Sequence, residues 1–139
     1  RIHGLYTMTA TDVLNETQFP DPIALGGYPI DIHSPDKVET NSNHLAEDTM
    51  YQIPMRCMLL EQPNNLIVAG RCISATHEAM AAFRVSPIAM AIGQAAGVMA
   101  ATAIEADLPA NQIDYQVVRQ KLLAANVKLP TSTTPAVVV

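Results

Sequence analysis

The sequence predicts an α+β fold, β-rich in its first half and helical in its second. Three observations carry that prediction. Short apolar runs broken by Gly and Pro fill residues 2–69, at lengths that suit strands. No charged residue occurs from Val85 to Ile104, which suits a buried helix or a membrane span. A second helical pattern runs from Tyr115 to Ala125, with Val117, Val118, Leu122 and Leu123 as its apolar stripe.

The elements follow in order. Residues 2–9 (IHGLYTMT) alternate loosely and read as a strand, after which Thr11-Asp12 can cap a short turn holding Val13 and Leu14. The prolines of Phe19-Pro20-Asp21-Pro22 mark a loop. Gly26-Gly27 precede a strand from Tyr28 to His33, with Tyr28, Ile30 and Ile32 on one face and Asp31 and His33 on the other. Ser34 to Asp48 is polar and turn-rich. Met50 to Leu60 reads as a strand pair or one bent strand, which Pro54 confines to an edge or bulge.

The central stretch starts with Leu66-Ile67-Val68-Ala69, a buried strand by length and β-branching, broken at Gly70. A polar connection leads to a long Ala/Gly-rich helix, with Ser86 as N-cap and Pro87 at the first helical position. Ala89, Gly93, Gly97 and Ala101 recur at i+4 and form a smooth stripe open to close approach, while Ile88, Ile92 and Met99 fill a core. Asp107-Leu108-Pro109 ends the helix. Ile113-Asp114 starts the second one, with Asn126 after its end and Leu129 as a closing contact. Residues 130–139 have linker composition, a flexible tail. No internal repeat is visible.

Composition narrows the function classes. A net charge of −5 without a basic cluster argues against nucleic acid and anionic membrane as partners. Ser86, Gln94 and Thr102 interrupt the apolar helix, which favours the interior of a soluble protein over a bilayer. Cys57 and Cys72 are the only thiols and match no zinc or CxxC spacing, so they read as free buried thiols in a reducing, cytoplasmic compartment. The chain opens on Arg1 with no signal-peptide pattern, and the reading expects a fragment or a processed product.

Chemistry concentrates between Gly70 and Ala89. A helix start presents unpaired N–H groups, here those of Ile88, Ala89 and Met90, since Pro87 has none. Such an end suits an anionic group, or it points at nothing in particular. His77 is either a general acid/base or carboxylate binder, or a solvated loop histidine. Arg84 either binds a substrate anion or forms a structural salt bridge, and its place before a helix start calls for a compensating anion. Arg56 faces a pocket or pairs with an acid. Asp31, His33 and Asp36 fit no strong metal motif, so no metal site is assigned. Met50, Met55, Met58, Met80, Met90 and Met99 read as core packing.

The run NLIVAGRCISATHEAMAAFRVSPIAMAIGQAAGVMAA, together with GGYPIDIH and YQIPMRCMLL upstream, resembles the C-terminal flavin-contacting part of FAD-dependent oxidoreductases. It resembles members with a glutathione-reductase-like two-domain fold, in particular a bacterial group of which some carry a xanthan lyase label. The resemblance spans most of residues 1–129. It implies a substrate-domain sheet in 1–60, a strand and long helix of the FAD domain in 61–106, and a C-terminal helix in 107–129.

By that resemblance Gly70 meets the ribityl–pyrophosphate region. Arg71 stands where many such flavoproteins have a ribitol-binding acid, so its contact is altered. Ser86, Pro87, Ile88 and Ala89 face the flavin pyrimidine edge, and His77 and Glu78 lie beside where the ring would sit. Arg84 binds a substrate anion or the flavin O2 region, which makes His77 and Arg84 the catalytic candidates.

FAD binding in this fold also needs a GxGxxG strand–helix unit. None is present, because Gly26-Gly27 lacks the third glycine and Gly93 and Gly97 sit inside a helix. The expected whole is an α/β enzyme acting on a small molecule, of which this α+β segment is the C-terminal part. Alone, it is expected to hold FAD weakly or not at all. A different reading is a non-catalytic packing module that uses the Ala/Gly stripe, with homo-oligomers as its consequence.

Overall fold

The computed structural model describes residues 2–32, 41–43 and 49–131, with the side chains of 41–43 left aside. Among them are four helices, four short strands and three 3-10 turns. Helix α1 is Ala10–Leu14; β1 is Pro22–Gly26, β2 Ile30–Ile32, β3 Asn41–Asn43 and β4 Tyr51–Pro54. Helix α2 is His77–Phe83, α3 Ser86–Ala106 and α4 Tyr115–Ala124. The order is α+β, with helices dominating the second half as the pattern predicts.

The strands form two separate antiparallel pairs. β1 lies against β4, from Gly26 opposite Tyr51 to Pro22 opposite Pro54, with an irregularity between Pro22 and Ala24. β2 lies against β3, with Ile30 opposite Asn43. β1 starts at Pro22, the last residue of the stretch that proline content marks as a loop, and runs through Gly26. Its Pro22 is tolerated because it sits at the strand end, opposite the end of β4. At Gly26 a Cβ would lie 2.4 Å from the Tyr51 ring. Only glycine lets that fully buried ring cross the neighbouring strand, and its hydroxyl then donates to the Ala82 carbonyl at 2.9 Å. Tyr51 thereby ties the β1–β4 pair to α2.

Two predicted strands form no regular ladder. Residues 2–9 and 66–69 contribute one bridge each, Met8 with Ala75 and Leu59 with Ile67, and the first stretch bends at Leu5 and Tyr6. Their shared partner explains why. Met55–Cys57 is a 3-10 turn, so the row of donors and acceptors that a ladder needs is broken there. The four carbonyls of 56–59 accept from four separate amides: Tyr6 at 3.2 Å, Ser74 at 2.9 Å, Val68 at 2.9 Å and Leu5 at 2.8 Å.

The cap of α1 is Thr9, not Thr11. Thr9 and Asp12 form a reciprocal capping box in which Asp12 also accepts from the Tyr6 hydroxyl.

Helix α3 buries Ile88, Ile92, Ala95, Met99, Thr102 and Ala103 against β1 and α4. Its length and mean hydropathy of 1.5 also meet the requirement of a membrane span, so composition alone does not separate the two readings. The opposite face meets nothing among the described residues. Met90 is 73% and Ile104 80% exposed, and nothing lies within 4 Å of a Cβ built on Gly93 or Gly97. Met90 and Met50 are therefore not core residues. In α4, Val118 and Leu122 are buried, while Val117 and Leu123 face outward. The Tyr115 hydroxyl donates to Pro22 O at 2.9 Å, joining α4 to β1.

Both long helices end in the same way. Asp107 (φ 52) and Asn126 (φ 60) adopt the left-handed conformation. The next amides, of Leu108 and Val127, return to Ala103 and Leu122 at 3.0 Å each. Asp107 carries both a steric cost and a negative charge at the negative helix end. Asp107→Gly is expected to stabilise the fold by about 1 kcal/mol, read from the urea midpoint; an unchanged or lowered midpoint contradicts this account.

Candidate functional site

The residues singled out in the sequence gather where the chain leaves 66–69 and enters α3. Gly70 has φ +59, and the one atom within 4 Å of a Cβ there would be Ala89 O, at 3.9 Å. This left-handed residue starts the 3-10 turn Gly70–Cys72, which packs on the first turns of α3.

Arg71 then reaches back. Its Nε donates to the Arg84 carbonyl at 2.6 Å, and Nη2 lies 3.5 Å from Ser86 Oγ. The guanidinium thus sits on a carbonyl at the end of α2, where a cation is favoured, and bridges to the start of α3.

Helix α2 begins at Thr76, whose hydroxyl accepts from Ala79 N at 3.3 Å. It ends at Arg84, where the amide still bonds Met80 O. Val85 (ψ 145) breaks the two helices apart, and α3 starts with Val85 as its cap residue. Ser86 is therefore not the N-cap: its hydroxyl faces Arg71, and no side chain caps α3. Pro87 lies in the first turn, where its missing N–H costs nothing. Ala89 N is already bonded to Val85 O at 3.0 Å, which leaves Ser86 and Ile88 as the first amides of the helix. The Ile88 side chain is buried, so only its backbone can face a ligand.

Arg84 finds the anion that its position calls for. Nη2 donates to Asp31 Oδ2 at 3.2 Å and to Asp31 O at 3.3 Å. Asp31 is thus an ion-pair partner across from α2, which the sequence reading had not matched to Arg84. No local signal links Asp31 to Arg84; the regular offset only puts His77, Met80, Ala81 and Arg84 on one face of α2.

Two hollows flank that face. One, of about 400 Å³, is lined by Arg71, Cys72, Thr76, His77 and Met80 among others. The other, of about 200 Å³, lies between β2 and α2 and is lined by Asp31, Ile32, His77, Met80, Ala81 and Arg84. His77 and Met80 belong to both. The fold therefore brings His77, Arg71 and Arg84 to one region, with Gly70 and Ser86 beside it.

Other candidates lie elsewhere. Arg56 pairs with buried Asp21 through Nε–Oδ2 at 3.0 Å and Nη2–Oδ1 at 3.1 Å, and stacks on Tyr6 at 5.4 Å. The Asp21 hydrogen bond raises its pKa further, and its role is structural. His33 and Asp36 lie outside the described residues. Cys57 is buried and Cys72 exposed, so the expectation of two buried thiols holds for Cys57 alone.

A sequence model of the family described as FAD dependent oxidoreductase matches residues 1–122, and the chain belongs to that family. Among curated proteins and among solved structures, nothing matches the chain.

The cysteines give a direct check on this geometry. Burial pushes the Cys57 thiol from 9.0 up to about 12. In the folded protein a thiol reagent is expected to label Cys72 alone, with Cys57 reacting only after unfolding. The folded state holds the Cys57 proton more tightly than the unfolded state does. The stability tied to that proton is present below about pH 9 and is lost as pH rises towards about 12. Cys57→Ala is expected to reduce this alkaline loss in urea titrations, and an unchanged loss would assign it elsewhere.

Proposed function

We propose that this member of the FAD-dependent oxidoreductase family is the C-terminal part of a two-domain flavoenzyme with a glutathione-reductase-like fold. Its segment 65–103 would supply the flavin-side surface. One observation carries the reading: Arg71 holds the Gly70 turn against the uncapped start of α3. A backbone without Cβ, two leading amides and a guanidinium then lie side by side, which fits a flat ligand with an anionic edge.

In this reading the amides of Ser86 and Ile88 stabilise negative charge on the pyrimidine edge, as a fixed helix-end field does. Arg71 replaces an acid and meets phosphate or that same edge. FAD, when bound, supplies the hydride chemistry. The His77 ring nitrogens hold or move a proton beside it, and Arg84 orients substrate. The adenosine half of the cofactor needs a GxGxxG unit, so the partner proposed is a region that carries one. The substrate would be a small molecule, and the setting the cytoplasm.

A second reading has its own support. Met90 and Ile104 stand exposed at either end of a stripe through Gly93, Gly97 and Ala101, as on a helix that packs against another subunit or domain.

Absorbance after gel filtration separates the two. The protein alone, mixed with FAD, is expected to emerge colourless. Co-expressed with its GxGxxG region it is expected to be yellow, and Gly70→Val is expected to lower flavin occupancy at least about tenfold through strain and a blocked approach. Flavin held by the chain alone would contradict the half-site. A co-expressed complex that stays colourless and oligomeric would favour the packing module.

A further inference from the structure

We propose that the cleft between β2 and α2 binds a small ligand bearing a carboxylate, with Arg84 as its anion-binding residue. The proposal takes the flavoenzyme reading as its setting and names the substrate class.

The guanidinium is only half used. Nη2 serves both Asp31 O and Asp31 Oδ2, while Nε and Nη1 have no acceptor among the described residues. The Arg84 side chain is 40% exposed and lines the cleft, which puts the guanidinium within reach of a ligand there. An arginine that served only to fix β2 to α2 would engage Asp31 through the two-pronged pairing that Arg56 makes with Asp21. Here the pairing is one-sided, which orients the fork and leaves an edge for a second carboxylate.

The rest of the cleft sets the ligand's shape. Ile32, Met80 and Ala81 make an apolar wall, suited to a short carbon skeleton and wasted on a fully hydrated inorganic anion. His77 stands two turns before Arg84 on the same face and offers a second polar contact. The volume of about 200 Å³ equals some six or seven waters at about 30 Å³ each, the size of a short organic acid.

The test uses sodium propionate as probe and the ¹⁵N-labelled protein, both without FAD and as the co-expressed flavin complex. Saturable shifts are expected for the Arg84 Nε–H resonance and for the amides of Asp31, Ile32 and residues 77–81, at millimolar to tens-of-millimolar propionate. Propionamide is expected to give none, and sulfate to compete poorly.

Arg84→Lys, which keeps the charge but loses the free edge, is expected to weaken binding at least about tenfold. Should that variant misfold, Met80→Trp decides, because it fills the cleft without touching the ion pair. No saturable shift, equal response to propionamide or sulfate, or undiminished binding in the variant that folds overturns the proposal. Propionate binding by a protein that never takes up flavin keeps this cleft and removes the flavoenzyme setting. Flavin uptake without propionate binding does the reverse.

Discussion

Four consecutive carbonyls, at residues 56–59, hold together segments that are distant in sequence. Because a 3-10 turn points them in different directions, they reach the N-terminal stretch on one side and residues 68 and 74 on the other. An unmade buried backbone hydrogen bond costs about 1–3 kcal/mol, so this arrangement constrains everything attached to it. Asp21 holds the turn from below: its carboxylate accepts from Arg56 N and from the Arg56 guanidinium, and its own carbonyl accepts from Met55 N. The acid is buried, and losing its partner would strand a charge away from water.

From that anchor the geometry of the functional region follows step by step. Ser74 and Thr76 are fixed through Cys57 and Met8, which sets where α2 can begin. Tyr51 fixes the other end of α2 through Ala82 O. The junction between α2 and α3 is then held by two arginines that act on different sides. Arg71 binds the junction's backbone, and Arg84 carries it across to β2. Neither arginine is deeply buried, so hydrogen-bond direction sets the junction's polar side, while Ala79, Ala82, Phe83 and Ile88 pack its other side into the core.

Much of this was legible in the residues. The uncharged run, the apolar spacing and the turn chemistry placed α3 and α4 and the left-handed Asn126, because each depends on neighbours within a turn or two. What failed depended on distant partners. Residues 2–9 and 66–69 have strand composition, yet ladders require two extended chains and the common partner is a turn. Ser86 looks like a cap until Arg71, fifteen residues earlier, claims its hydroxyl. Arg84 plainly needed an anion, but nothing local pointed to Asp31. Cys72 and Met90 are core-type residues, yet both lie on surfaces that type alone cannot reveal.

The two glycines of α3 also determine what a stabilised version of this chain would lose. Alanine fits at 93 and 97, since nothing stands near either Cβ position, and each replacement adds about 1 kcal/mol of helix preference. The cheapest gains in melting temperature thus lie on a helical face that has no neighbour among the described residues. Optimising this chain by its own thermodynamics would thicken that face by two methyl groups. Any backbone that closes on the glycines would then be held away by the very substitutions that a stability screen rewards.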